Sequence, residues 1–189
     1  MTLSLDFTNM MGAALPLGAG ITAAQRLDAA GAFAKAHERV HGMTKELGFL
    51  TVPVNAAVRD ATLAVAEQAR GRFDDVLLLG IGGSALGPIA LRTALRPPAW
   101  NTLSAADRGG APRLHVLDNV DPATIAAILG RLELTRTLVL VISKSGGTVE
   151  TMAQYLIVRD ALARAVGEDT ARQHLIFITD PEVGALHTI

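Results

Sequence analysis

The chain has 189 residues, 50% of them apolar and 4% aromatic, with 17 Lys and Arg against 18 Asp and Glu and no cysteine. That length suits one large domain, or one domain with part of a second, and the apolar content is enough for a substantial core. The near-neutral balance and scarce aromatics exclude the basic footprint and stacking platforms of a nucleic-acid binder, and a polybasic membrane patch; the absence of cysteine excludes disulfides and thiolate metal sites and fits a reducing cytoplasm.

The first ten residues carry Asp6 and no Lys or Arg, so they do not read as a secretory signal, and no apolar run approaches membrane-spanning length. The spacing of Leu27, Ala30, Phe33, Ala34, Val40, Met43 and Leu47 predicts a helix over 22–48. A second, alanine-rich helix is expected over 54–71, ending at Gly71. Residues 1–71 therefore read as an N-terminal helical section.

From residue 72 the pattern changes. Four short apolar runs follow: Val76–Leu79, Leu114–Leu117, Leu138–Ile142 and Leu175–Ile178. Three of them have no polar interruption, which is how strands buried on both faces by crossover helices read. Asp121-Pro122 and Asp180-Pro181 each place a capping acid before a proline, a helix-start signal shortly after a strand. The stretch between the first two runs is too rich in Pro, Gly and polar residues for regular structure. Residues 72–189 are thus expected to form an α/β, doubly wound, mainly parallel sheet. Because Ile189 falls early in the helix expected after the fourth strand, the domain is expected to be C-terminally incomplete.

Two glycine-rich turns stand out: "GIGGSALGP" after the first strand and "SKSGGTVET" after the third. If the strand order is 2-1-3-4, the first and third strands are neighbours whose connections leave in opposite directions, and the crevice at their carboxyl ends is where such sheets bind ligands. Both turns suit an anion. Gly82-Gly83 and Gly146-Gly147 allow close backbone approach, each turn opens a helix with unpaired N–H groups, and Ser84, Ser143, Ser145 and Thr148 add hydroxyls. The helix dipole offers about 0.3–1 kcal/mol, whereas a hydrogen bond to a charged group contributes roughly 1.5–3 kcal/mol, so aligned donors must do most of the holding. Thr148 can also cap its helix. Glu150, in the first helical turn, must point away from a bound anion.

Other motifs compete less well. "GIGGSA" fits a dinucleotide fingerprint at Gly80, Gly82 and Ala85, but Asp118 lies far beyond the roughly 20-residue spacing of its ribose-binding acid. There is no P-loop. "HERVH", His37 to His41, has zinc-like spacing but lacks a third ligand, so no metal site is expected. Ser143 and Lys144 are adjacent on an extended segment and point to opposite sides, which argues against a nucleophile pair. Lys144 can meet an anion through its charge or through its backbone N–H alone.

"GIGGSALGP", "DNVDP" and "SKSGGTVET", in that order, closely resemble the glucose-6-phosphate isomerase family, whose domain type is the sugar-isomerase (SIS) domain with flavodoxin-like strand order. The resemblance covers roughly Val76 to Pro181. It implies that Ser143, Lys144, Ser145 and Thr148 hold a sugar phosphate, that Gly146 and Gly147 shape the turn, and that Gly83 and Ser84 lie near the sugar. It further implies a cytoplasmic homodimer that interconverts glucose 6-phosphate and fructose 6-phosphate through an enediol, without a metal or organic cofactor. The family's catalytic glutamate, histidine and lysine belong to later parts of its chain and match nothing here. The resemblance therefore implies the N-terminal, phosphate-gripping part of such an enzyme, with no catalytic residue in this chain. A stand-alone SIS module that binds a phosphosugar for regulation, and a dinucleotide-binding domain, are the alternative readings.

Overall fold

The computed structural model describes residues 4–16 and 18–189; Met1 to Leu3, part of the N-terminal stretch read above, and Leu17 lie outside it. The chain divides into two compact units, Met1–Thr62 and Leu63–Ile189, and the division falls inside a helix.

The first unit holds helix α1, Ala23–Gly42, and begins helix α2, Ala56–Ala69. α1 starts in a reciprocal cap: Gln25 N–H donates to Thr22 Oγ1 at 3.1 Å, and Thr22 N–H donates to Gln25 Oε1 at 2.9 Å. The helix was expected to reach residue 48 but stops at Gly42. Glycine is a weak helix former, and the chain beyond it runs through turns and short 3-10 segments. No residue of α1 or α2 is buried. Among the described residues no single helix is long and apolar enough to cross a membrane.

The second unit contains β1 (Asp75–Leu79), α3 (Gly83–Leu95), β2 (Arg113–Leu117), α4 (Pro122–Leu129), β3 (Thr137–Ser143), α5 (Val149–Val166), the short α6 (Glu168–Ala171) and β4 (Leu175–Thr179). The four strands form one parallel sheet in the order β2-β1-β3-β4, as the placement of the two glycine turns required. Leu77, Leu79, Leu117, Val139 and Val141 meet Ile125 of α4 and Tyr155, Val158 and Leu162 of α5 in the core. A leucine fully withdrawn from water contributes roughly 1.5–3 kcal/mol, so the central strands dominate the stability of this unit. β1 and β3 are largely buried; β2 and β4 are mostly half-exposed because they lie at the sheet edges.

The connection before β2 is more ordered than its composition suggests. Trp100 is buried in a 3-10 turn and its indole N–H donates to the Pro112 carbonyl at 3.2 Å. The Asn101 amide pairs with Leu114 in both directions, at 2.8 and 3.0 Å, and so imitates a further strand on the β2 edge. Asp121-Pro122 starts α4 as read: the Asp121 carboxylate accepts from Thr124 N–H at 2.8 Å. Asp180-Pro181 does not start an α-helix. The Asp180 carboxylate accepts from Glu182 and Val183 N–H at 2.9 and 3.2 Å, but Gly184 then adopts φ +96° and turns the chain into a 3-10 segment at Ala185–Thr188.

At the amino ends of the strands sits a charged cluster. Asp75 is 1% exposed and receives two hydrogen bonds from Arg113, at 2.7 and 2.6 Å, and lies 2.8 Å from His115 Nε2. Burial alone would raise its pKa, but the hydrogen bonds from Arg113 and His115 outweigh that and hold the carboxyl below its usual range. His115 is thus a sheet-face residue with a structural partner, at the opposite end from the glycine turns.

Candidate functional site

The site is built where β1 and β3 end. Leu79 pairs with Val141, so the turns that follow β1 and β3 leave the sheet side by side. A side chain at Gly80 would place its Cβ 3.0 Å from Ser84 Cβ and 3.2 Å from the Ile142 carbonyl. Only glycine allows the start of α3 and the end of β3 to approach this closely. Gly82 follows at φ +55° and begins α3 without any side-chain cap. Gly83 is exposed and Ser84 half-buried at the first turn of α3.

In the second turn three hydroxyls converge. Ser143, 2% exposed at the end of β3, lies with its Oγ 2.9 Å from Thr148 Oγ1. Ser145 Oγ is 3.5 Å from the same atom and 3.4 Å from Gly147 N, whose N–H donates to it. A pair of hydroxyls holds two protons and uses one for its mutual bond, which leaves one to donate outward. Gly146 is buried with φ +64°, and its N–H donates to the Ser143 carbonyl at 3.1 Å. α5 then opens, and its first closing bond runs from Met152 N–H to the Thr148 carbonyl at 2.9 Å. The N–H groups of the preceding turn are those that every helix start leaves without a helical acceptor.

One expectation is revised. Thr148 occupies the cap position, but its side chain makes no capping bond; its hydroxyl is turned to Ser143 instead. As expected from their adjacency, Ser143 and Lys144 do not meet as a nucleophile pair: Ser143 is buried against Thr148 while Lys144 is exposed. Lys144 has no ion pair among the described residues. Glu150 is also exposed, in the first turn of α5. The HERVH histidines lie on α1 with ring centroids 4.3 Å apart and planes tilted by 55°, and no group of three potential metal ligands occurs among the described residues.

Several contributors were not anticipated. Gln154 of α5 is fully buried and its amide N–H groups donate to the Leu117 carbonyl at 3.1 Å and the Asn119 carbonyl at 2.8 Å. It ties α5 to the turn after β2, next to the crevice. Thr151 Oγ1, Gln154 Oε1 and Thr179 Oγ1 are buried without hydrogen-bond partners among the described residues. The available signal was the polar pair Thr151 and Gln154 on the same α5 face as Tyr155, Val158 and Leu162. The segment after β4 also touches the second turn: Asp180 N–H donates to the Lys144 carbonyl at 3.2 Å, and Leu186 N–H to the Gly146 carbonyl at 3.1 Å.

Comparison with known proteins agrees with this architecture. Residues 59–183 match the family model described as phosphoglucose isomerase. The chain is 46% identical over 143 residues to a glucose-6-phosphate isomerase of Rubrobacter xylanophilus, covering 75% of this chain and 32% of that protein. It is 44% identical over 145 residues to the glucose-6-phosphate isomerase of Carboxydothermus hydrogenoformans, covering 76% and 31%. Among solved structures, a glucose-6-phosphate isomerase from Chlamydia trachomatis superposes with TM-score 0.54 at 30% identity, over 67% of this chain and 23% of that one. A hypothetical protein from Thermus thermophilus superposes with TM-score 0.56 at 31% identity, over 86% and 39%. The chain spans about a third of the length of the curated relatives it matches.

Proposed function

The chain belongs to the phosphoglucose isomerase family, and from that premise we propose that its Ser143–Thr148 turn grips the phosphate of glucose 6-phosphate and fructose 6-phosphate. The observation that carries the proposal is the convergence of the Ser143, Ser145 and Thr148 hydroxyls at the start of α5, beside the Gly80–Ser84 turn. A phosphate placed there would receive the free hydroxyl proton and the backbone N–H groups of the α5 start, with Lys144 supplying charge or its N–H. Gly83 and Ser84 would line the sugar. Glu150 would repel the phosphate and must face away from it.

Aldose–ketose isomerisation through an enediol moves a proton between C1 and C2 and needs a base within reach of the carbon. The crevice of this chain offers donors, which bind and orient; we assign the proton transfer to parts of the whole protein outside these residues. The same reading gives the whole protein a homodimeric, cytoplasmic form with no metal or organic cofactor. The test is to titrate the 189-residue chain with glucose 6-phosphate by calorimetry and to run a coupled isomerase assay beside it. Binding without turnover is the expected result. Absence of binding would overturn the phosphate assignment, and turnover lost on substituting a residue of this chain would overturn the placement of the base.

A further inference from the structure

The segment after β4 lies against the phosphate turn more closely than any side chain permits. A Cβ at Gly184 would fall 2.1 Å from the Ser145 carbonyl oxygen and 2.8 Å from Gly146 Cα. A Cβ at Gly146 would fall 2.9 Å from Thr179 Oγ1 and 3.0 Å from Gly184 Cα. Both residues have positive φ, +96° and +64°. Two backbones are therefore pressed together with no side chain between them. The segment is braced internally, the Asp180 carboxylate accepting from Glu182 and Val183 N–H, and is anchored by Leu186, which is 3% exposed and belongs to the core.

The segment takes up two alternate carbonyls of the turn, those of Lys144 and Gly146. Across a trans peptide the C=O and the following N–H point in opposite directions, and the chain has no cis bond among the described residues. Drawing the Lys144 and Gly146 carbonyls toward the segment turns the N–H groups of Ser145 and Gly147 away from it. Ser145 N–H has no acceptor among the described residues, and Gly147 N–H reaches only the Ser145 hydroxyl, at 3.4 Å. N–H groups gathered on one side of a turn form an anion-binding concavity; here they are those of Ser145 and Gly147, the Gly146 N–H between them being given to the Ser143 carbonyl.

We infer that residues 180–186 are a strap that orients the Ser145 and Gly147 amides for an anion, with Gly184 as its positioning residue. This rests on the phosphate reading of the turn. The strap makes no contact with the anion itself; it acts by fixing the peptide planes.

The test follows amide resonances of the 189-residue chain during titration with inorganic phosphate. In the unsubstituted chain, phosphate is expected to shift the Ser145 and Gly147 amides. Gly184→Ala forces the two backbones apart, and Asp180→Ala loosens the strap turn without touching the core. Each variant is first checked for a native circular dichroism spectrum. Folded variants are expected to bind phosphate about tenfold more weakly, equivalent to losing one hydrogen bond to a charged group, with the Ser145 and Gly147 shifts diminished. If Gly184→Ala does not fold, Asp180→Ala decides alone. Folded variants that match the unsubstituted chain in affinity and in those two shifts overturn the strap and leave the phosphate reading standing. Failure of phosphate to bind the unsubstituted chain overturns that reading and the strap with it.

Discussion

At Thr148 the hydroxyl is directed to Ser143 rather than to its own helix, 2.9 Å away. The residue type and position announced a cap, and a cap bond is a local event that sequence patterns capture. What decides here is the neighbouring end of β3, which presents a buried hydroxyl that competes for the same oxygen. Ser143, Ser145 and Thr148 were legible as donors because their types and the glycines between them are explicit; their mutual bonding was not, because it depends on how far the chain turns at Gly146. The consequence for Thr148→Ala is specific. Its stability cost should be that of one neutral hydrogen bond, about 0.5–1.5 kcal/mol, read from thermal melting. Its effect on glucose 6-phosphate binding should be larger, roughly tenfold or more by calorimetry. Thr148→Ser, which keeps the hydroxyl, should restore most of the affinity.

Among the elements, α5 serves two purposes, and only one is written in its pattern. Its opening beside the serines was visible in "SKSGGTVET". Its role as a brace for the turn after β2 was not, since Gln154 looks like an ordinary helix former until Leu117 and Asn119 are seen beside it. Gln154→Ala removes both donors; the Leu117 carbonyl keeps its bond from Gly80 N–H at 3.2 Å, while the Asn119 carbonyl loses the Gln154 donor. Losing these hydrogen bonds should cost about 0.5–1.5 kcal/mol each, which denaturant unfolding will measure; amide exchange in residues 118–121 should rise more than elsewhere in the sheet unit. The opposite lesson comes from Asp180-Pro181. The acid does hold the next N–H groups, as a helix start would, yet no α-helix follows because Gly184 takes φ +96° and only a 3-10 turn comes after it. A start signal specifies the first turn, and the residues after it decide whether a second turn forms.

For the molecule as a whole, the strand order was legible because two unusual turns needed to share one crevice, and the sheet places them on adjacent strands. The Asp75 cluster at the other end was hidden: an aspartate opening a strand gives no hint that it will be 1% exposed between Arg113 and His115. Its depressed pKa links stability to pH in a defined direction. The unfolded chain binds the proton more tightly than the folded one, so the stabilisation is complete above the ordinary aspartate range, about pH 4, and is lost as pH falls through the lower folded value. Acid unfolding of the native chain should therefore be steeper below about pH 4 than that of Asp75→Asn. At neutral pH, Asp75→Ala should cost about 1.5–3 kcal/mol, toward the lower end because Arg113 keeps 37% exposure and its charge is screened there.

The pairing of β1 with β3 also sets a timetable. These two strands carry both halves of the crevice, yet the Asp74–Arg136 bonds that clasp their beginnings join residues 62 positions apart. No hairpin links any neighbouring strands of this sheet, so each pairing waits for a long loop to close, and non-local pairing of this kind folds slowly. The crevice thus comes into being only once the slowest closures are complete. A newly made chain would pass through a period in which its helices exist and the crevice between β1 and β3 does not.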